Sequence, residues 1–251
     1  MMPLLCPDFL TKPLTHRGLH DVSDGRPENS RAAICAAIEL GYGIEIDLQL
    51  SADQTPMVFH DYGLNRLTAE VGTVAQMNAA QLGAIQLSGG NEGIPDLAEI
   101  LDLVAGQVPL LIEFKDQDGA MGTHVGPLEK AAADLLSKYS GPAAVMSFNP
   151  NSVALLAEFL PGVARGIVTS AYTPDDWPLS QVVCDHLRDI PDYERVGASF
   201  ISHELADLGR SRVAELKANG ANVLCWTVKS SVQEVEARKV AENIMFEQYL
   251  A

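Results

Sequence analysis

The chain has 251 residues, 47% of them hydrophobic, with 17 Lys and Arg set against 33 Asp and Glu for a formal charge of −16. That length and apolar content suit one large α/β domain or two small ones around a buried core, and exclude the composition of a disordered chain. The acidic balance opposes binding to nucleic acid or to an anionic membrane surface, both of which reward basic patches, so an anionic substrate must be drawn in by a local positive site.

Four scattered cysteines, Cys6, Cys35, Cys184 and Cys225, form no C-x-x-C pair and suggest neither a zinc site nor a redox motif. No apolar run approaches the length of a membrane span. The opening Met1-Met2-Pro3-Leu4-Leu5-Cys6 is too short for a secretory signal, so a soluble, cytoplasmic protein is expected.

After a loosely patterned, proline-containing arm, Leu14-Thr15-His16-Arg17-Gly18 reads as a first strand giving way to a loop. His16 and Arg17 fall at its C-terminal end, and Gly18 is free to take a backbone angle other residues avoid. A polar stretch closes on Pro27-Glu28-Asn29-Ser30, where Asn29 or Ser30 caps a helix running to Leu40 and ended by Gly41. In the next strand, residues 43–50, Glu45, Asp47 and Gln49 share one face while Ile44, Ile46, Leu48 and Leu50 share the other. A turn and a short extended run then deliver His60-Asp61. Residues 62–97, with scattered glycines and the pair Ile94-Pro95, read as an excursion, and 77–87 as a lid or insertion surface. A helix over 97–104 leads to a strand over 109–115, where Glu113 and Lys115 share a face opposite Leu110, Ile112 and Phe114. Further helices are expected over 128–139, 150–159, 209–219 and 232–239, and strands over 143–148, 165–168, 197–202, 221–228 and 243–247. Residues 172–196 are acidic and proline-bearing, with one helical piece.

Such a βα alternation of roughly eight units in about 250 residues predicts a TIM barrel, one domain over 1–251 interrupted by the excursion of residues 62–97. An open doubly wound sheet is the alternative, but no G-x-G-x-x-G turn follows the first strand. In a barrel the chemistry sits where strands end, which is where His16, Arg17, His60 and Lys115 fall.

Glu45 and Asp47 alone are compatible with a half-buried strand whose polar face meets water. Glu113 and Lys115 on a second strand change that reading, because three clustered carboxylates repel one another unless a cation lies between them. Their hard oxygens select magnesium, calcium or manganese over zinc.

Taken in order, His16-Arg17-Gly18, Pro27-Glu28-Asn29-Ser30, Glu45-Ile46-Asp47, His60-Asp61 with Leu64-Asn65-Arg66-Leu67-Thr68 and Gly72, Ile94-Pro95, Glu113-Phe114-Lys115 and Trp226-Thr227 resemble the glycerophosphodiester phosphodiesterases over residues 14 to 247. The resemblance implies a TIM barrel with a small insertion, about 62–97, after the second strand, and hydrolysis of small-molecule glycerophosphodiesters with one divalent cation and two histidines. Where many members end on a Thr-Asp pair this chain has Met245-Phe246-Glu247 and four further residues, so the last barrel helix is expected to be absent.

Chemistry assigns matching roles. Glu45, Asp47 and Glu113 are the candidate metal ligands, for Mg2+ or Ca2+, and Arg17 and Lys115 the cations for a phosphate. His16 and His60 are the candidate acid and base, since histidine gives and takes protons near neutral pH. Glu28 stands as a supporting partner or a helix start, and Asp61 as a residue orienting its neighbouring loop or His60 rather than a metal ligand. Phe148 and Trp226 read either as core or as the wall that meets glycerol or head group. No serine, threonine or cysteine adjoins either histidine in the motifs, leaving water or the substrate's 2-hydroxyl to attack phosphorus. Two other readings stay open: a related enzyme for lysophospholipids or other larger diesters, and a non-catalytic binding barrel. The sequence does not set the oligomeric state.

Overall fold

Strand runs rich in Ile, Leu and Val, buried on both faces, need cover on both sides. Closing the sheet on itself meets that need on the inside, and helices meet it on the outside. A computed structural model of the protein describes residues 3–173 and 176–251; the readings that touch Met1, Met2, Pro174 and Asp175 lie outside these. Strands β1 (Leu14–Thr15), β2 (Gly43–Leu50), β4 (Leu110–Phe114), β5 (Ala143–Ser147), β6 (Ala164–Thr169), β7 (Phe200–Glu204), β8 (Asn222–Val228) and β9 (Asn243–Phe246) pair in parallel and close through β1, which bonds to both β2 and β9. This is the expected TIM barrel. Strand β3 (Pro56–Val58) is no part of it; it runs antiparallel against the end of β2, Leu48 facing Val58.

Around the barrel lie α2 (Arg31–Glu39), α4 (Leu97–Val104), α5 (Pro127–Leu136), α6 (Pro150–Phe159), α7 (Gln181–Arg188), α8 (Ser211–Ala218) and α9 (Ser231–Ala237). Ser30 caps α2 by accepting from the Ala33 amide, Asp96 and Glu99 cap α4 reciprocally, and Asn149 caps α6. Alternation along each strand divides the core in two. Ile44, Ile46, Leu48, Leu110, Ile112 and Phe114 point outward into the helices. Leu14, Leu111, Met146, Val168, Phe200, Leu224 and Met245 fill the lumen. Gly166 makes room there, since a β-carbon on it would lie 2.3 Å from the Phe200 ring.

The N-terminal arm is more ordered than its composition predicts. Its short helix α1 (Asp8–Thr11) places Phe9, fully buried, with Leu5 against the lumen floor, and Asn243 donates to the Phe9 carbonyl at 2.8 Å. The excursion after β2 contains α3 (Ala79–Ala84) and its own small core of Met57, Phe59, Leu64, Val74, Leu82, Leu87 and Ile94. It is a packed outgrowth. Among the described residues no helix follows β9. The side there is covered by Tyr42, whose hydroxyl donates to the Ala251 carbonyl at 2.6 Å, with Phe246 edge-on to Tyr42 and Tyr249. Nor is any described helix long and apolar enough to cross a membrane.

Candidate active site

Parallel register sets Asp47 of β2 directly beside Glu113 of β4, and the two-residue period puts Glu45 on the same inward face. One carboxylate oxygen of each lies within 4.8 Å of the others, and all three residues are buried. Burial, then the charges of Asp47 and Glu113, push the Glu45 carboxyl well above its ordinary range. Asp47 goes the other way: burial opposes its charge, but Lys115, His60 and Arg17 together hold it below the usual carboxylate range. The Lys115 ammonium lies 2.5 Å from Glu113 Oε1 and 2.7 Å from Asp47 Oδ1, and these two carboxylates hold it protonated against burial. Asp47 Oδ1 is nonetheless without a hydrogen bond of good geometry, as is Arg17 Nε, 3.5 Å from Asp47 Oδ2. Three buried carboxylates that repel, one with an unsatisfied oxygen, fit a hard divalent cation held by Glu45, Asp47 and Glu113.

The loop after β1 sets the second half. Arg17 has φ +57° and its amide donates to Glu45 Oε2 at 2.9 Å, while its guanidinium donates to Glu28 Oε1 at 2.8 Å. A non-glycine residue in this left-handed region costs roughly 1–3 kcal/mol, which the Glu45 and Glu28 bonds offset. Asn29, also left-handed at φ +58°, donates to Asp47 Oδ2 at 2.8 Å. Glu28 also binds Arg66, which reaches on to Asp61, so that Glu28 ties both histidine-bearing loops together. Behind His60, Gln49 donates to the His60 carbonyl at 3.0 Å. The third polar residue on the inward face of β2 thus holds a loop.

Both candidate histidines present Nδ1 to a carboxylate. His60 meets Asp61 Oδ1 at 2.6 Å, one of the two contacts open to Asp61 in the sequence, and His16 meets Glu247 Oε2 at 2.7 Å, a partner that the motifs do not show. Burial pushes the His16 imidazole down to about 4, outweighing Glu247, so the ring is neutral at neutral pH. The signal for Glu247 lay in strand alternation, since it follows lumen-facing Met245 by two residues.

His16, Arg17, Glu45, His60, Glu113 and Lys115 line one cavity of about 80 Å³ at the barrel mouth, with Phe148, Ser202 and Trp226 on its wall. Ser202 is fully buried and its hydroxyl has no partner, a feature the sequence gave no reason to single out. Phe148 and Trp226 pack edge to face at 5.6 Å, both half-buried, and the indole donates to the Ser202 carbonyl. A second, open lobe of about 430 Å³ shares His60, Lys115 and Phe148 and continues past Tyr62, Met121 and Trp177. Of the other histidines, His20 stands 3.4 Å from Glu247, whereas His124, His186 and His203 pair with Asp118, Asp192 and Asp207 away from this cavity.

The profile of the Glycerophosphoryl diester phosphodiesterase family matches residues 16–245. The chain belongs to that family. Glycerophosphodiester phosphodiesterase 1 of Bos taurus is 32% identical over 91% of this chain and 75% of its own length. The glycerophosphodiester phosphodiesterase of Caldanaerobacter subterraneus subsp. tengcongensis is 27% identical over 86% of this chain and 84% of its own. Among solved structures, an Oleispira antarctica phosphodiesterase in complex with the product sn-glycerol-3-phosphate superposes with a TM-score of 0.77 at 24% identity, covering 96% of this chain and 94% of that one. A phosphodiesterase of this family is an enzyme, and the match spans every residue of the cavity wall from His16 to Met245. Glu247 lies just beyond it.

Proposed function

We propose that this protein, as a single domain over residues 1–251, hydrolyses glycerophosphodiesters to glycerol 3-phosphate and an alcohol. The observation that carries the reading is the convergence of two histidines, two cations and two members of the carboxylate cluster, Glu45 and Glu113, on one cavity of about 80 Å³.

Glu45, Asp47 and Glu113 would hold one Mg2+ or Ca2+, which when bound supplies charge neutralisation at the phosphate and lowers the pKa of a contacting hydroxyl. Arg17 and Lys115 stand beside that position to take the remaining phosphate oxygens. The small lobe accepts the glycerol, where the unpartnered Ser202 hydroxyl is free to bond a substrate hydroxyl. His16, buried and neutral, takes the proton of the attacking group; His60, facing the open lobe, gives one to the departing alcohol. With the glycerol seated in the small lobe, its 2-hydroxyl is the attacking group already in place, an advantage on the order of 7 kcal/mol or more in favourable cases. The product of that step is a cyclic 1,2-phosphate, which water opens with the two histidines exchanging roles.

A second reading is favoured by the open lobe, whose Met121, Phe148 and Trp177 would accept a bulky apolar group, either the acyl chain of a lysophospholipid or the leaving alcohol of another larger diester. Release of glycerol 3-phosphate from a panel of glycerophosphodiesters, and of the head-group alcohol from lysophospholipids, with and without chelator, tests both. Release from glycerophosphodiesters that chelator abolishes is the expected result, and release unaffected by chelator would remove the metal from the reading. A 2-deoxy diester should bind and be scarcely cleaved.

A further inference from the structure

The last strand brings to the barrel mouth a carboxylate separated from His16 by 231 positions in sequence. We propose that Glu247 is the positioning residue of His16, fixing the ring with Nδ1–H toward its carboxylate and the Nε2 lone pair toward the cavity, so that the imidazole enters the reaction as a base. The inference rests on the function proposed above and adds a third member to the acid-base pair.

The carboxylate is itself immobilised from three sides. Oε2 lies 2.7 Å from His16 Nδ1 and 3.4 Å from His20 Nε2, and Oε1 lies 2.9 Å from the Lys229 ammonium just past β8. Its side chain is only 11% exposed. Burial works against its charge, but His16, His20 and Lys229 keep it ionised, well below the ordinary glutamate range. A hydrogen bond from a neutral Nδ1–H to an ionised acceptor is charge-assisted and directional, and it leaves Nε2 as the only basic nitrogen. When Nε2 takes the proton from the attacking hydroxyl, the resulting imidazolium lies against this carboxylate, with Arg17 the opposing charge and Asp47 a second favourable one.

A merely mechanical role, stapling β9 to β1, is already filled by the backbone. Leu14 and Thr15 pair with Met245 and Phe246, and the His16 amide donates to the Phe246 carbonyl at 2.9 Å. What Glu247 adds beyond these bonds is the orientation of one ring.

The test uses the full chain with Mg2+ or Ca2+ and glycerophosphocholine. In Glu247→Gln, kcat should fall about a hundredfold while KM changes little, the scale seen when an acid-base residue loses its function or its tautomer. A low-field proton resonance that is present in the wild type and missing in His16→Ala should also disappear from Glu247→Gln. Should Glu247→Ala fail to fold, the isosteric Gln variant still carries the measurement. Wild-type activity abolished by His16→Ala but retained within about threefold by Glu247→Gln, with the resonance in place, would overturn the inference alone. A wild type that releases no glycerol 3-phosphate from any diester would overturn the proposed function and this inference with it.

Discussion

His16 and His60 make the same contact by different routes. Each turns Nδ1 to a carboxylate at 2.6–2.7 Å, but His60 finds Asp61 next to it in the chain, while His16 finds Glu247 at the far end of the chain, on the neighbouring strand's end. Their settings differ as well: the His60 side chain is 30% exposed and faces the open lobe, whereas His16 is 14% exposed and sits over the lumen. A local partner aims a ring on a loop that solvent reaches. A partner remote in sequence, brought alongside by closure of the sheet, holds a ring in a buried place, where burial favours the neutral form. On the proposed function the more exposed ring is the acid and the more buried one the base, although their hydrogen bonds look alike.

The largest expected effect is loss of either ring. His16→Ala and His60→Ala should each lower kcat by roughly a hundredfold or more. With a p-nitrophenyl diester, whose leaving group needs no proton, His60→Ala should recover most of its rate and His16→Ala should not. Equal recovery by both variants would erase the division of labour.

Acid stability should separate the rings next. Folded, metal-free protein binds a proton at His16 only near pH 4, whereas an unfolded histidine binds one near 6.5. Between these values the unfolded chain takes up a proton that the folded chain refuses. Stability is therefore full above about pH 6.5 and falls as pH drops toward 4, by about 3 kcal/mol if the whole shift is expressed. Thermal melts of wild type and His16→Ala across that window check it; the variant should lack this part of the loss.

A smaller effect is expected at Asp61. Losing one hydrogen bond to an ionised group, worth about 1.5–3 kcal/mol, corresponds to roughly a tenfold or greater drop in kcat. The Arg66 bonds to Glu28 and the Gln49 bond to the His60 carbonyl still hold the loop, so Asp61→Asn should fall nearer the low end and cost less than Glu247→Gln. The reverse order in kcat would mean that the local partner matters more than the remote one. The smallest effect belongs to the wall of the open lobe. Trp177 packs against Phe148 at 5.0 Å, and Trp177→Ala should raise KM a few-fold for diesters with bulky apolar leaving groups and leave glycerophosphoethanolamine unchanged, as read by initial rates.

What lies close in sequence was readable there. Alternation showed that Glu45, Asp47 and Gln49 share a face, and the β/α rhythm indicated the barrel, because both follow from backbone periods of about 2.0 and 3.6 residues. His60 with Asp61, and Arg17 with its neighbours, came from adjacency. Only the closed barrel decided the rest: that Asp47 stands in register with Glu113, that Lys115 bridges them, that the polar face of β2 is buried and not wetted, and that Glu28 joins two loops. The N-terminal arm carried no strong pattern, yet Phe9 is fully buried, because the lumen floor needs an apolar plug and a sequence does not show which segment supplies it. Glu247 is the sharpest case. Its two-residue offset from Met245 indicates the inward face, but its partner lies 231 positions away, and no local period encodes a contact made by closing the sheet.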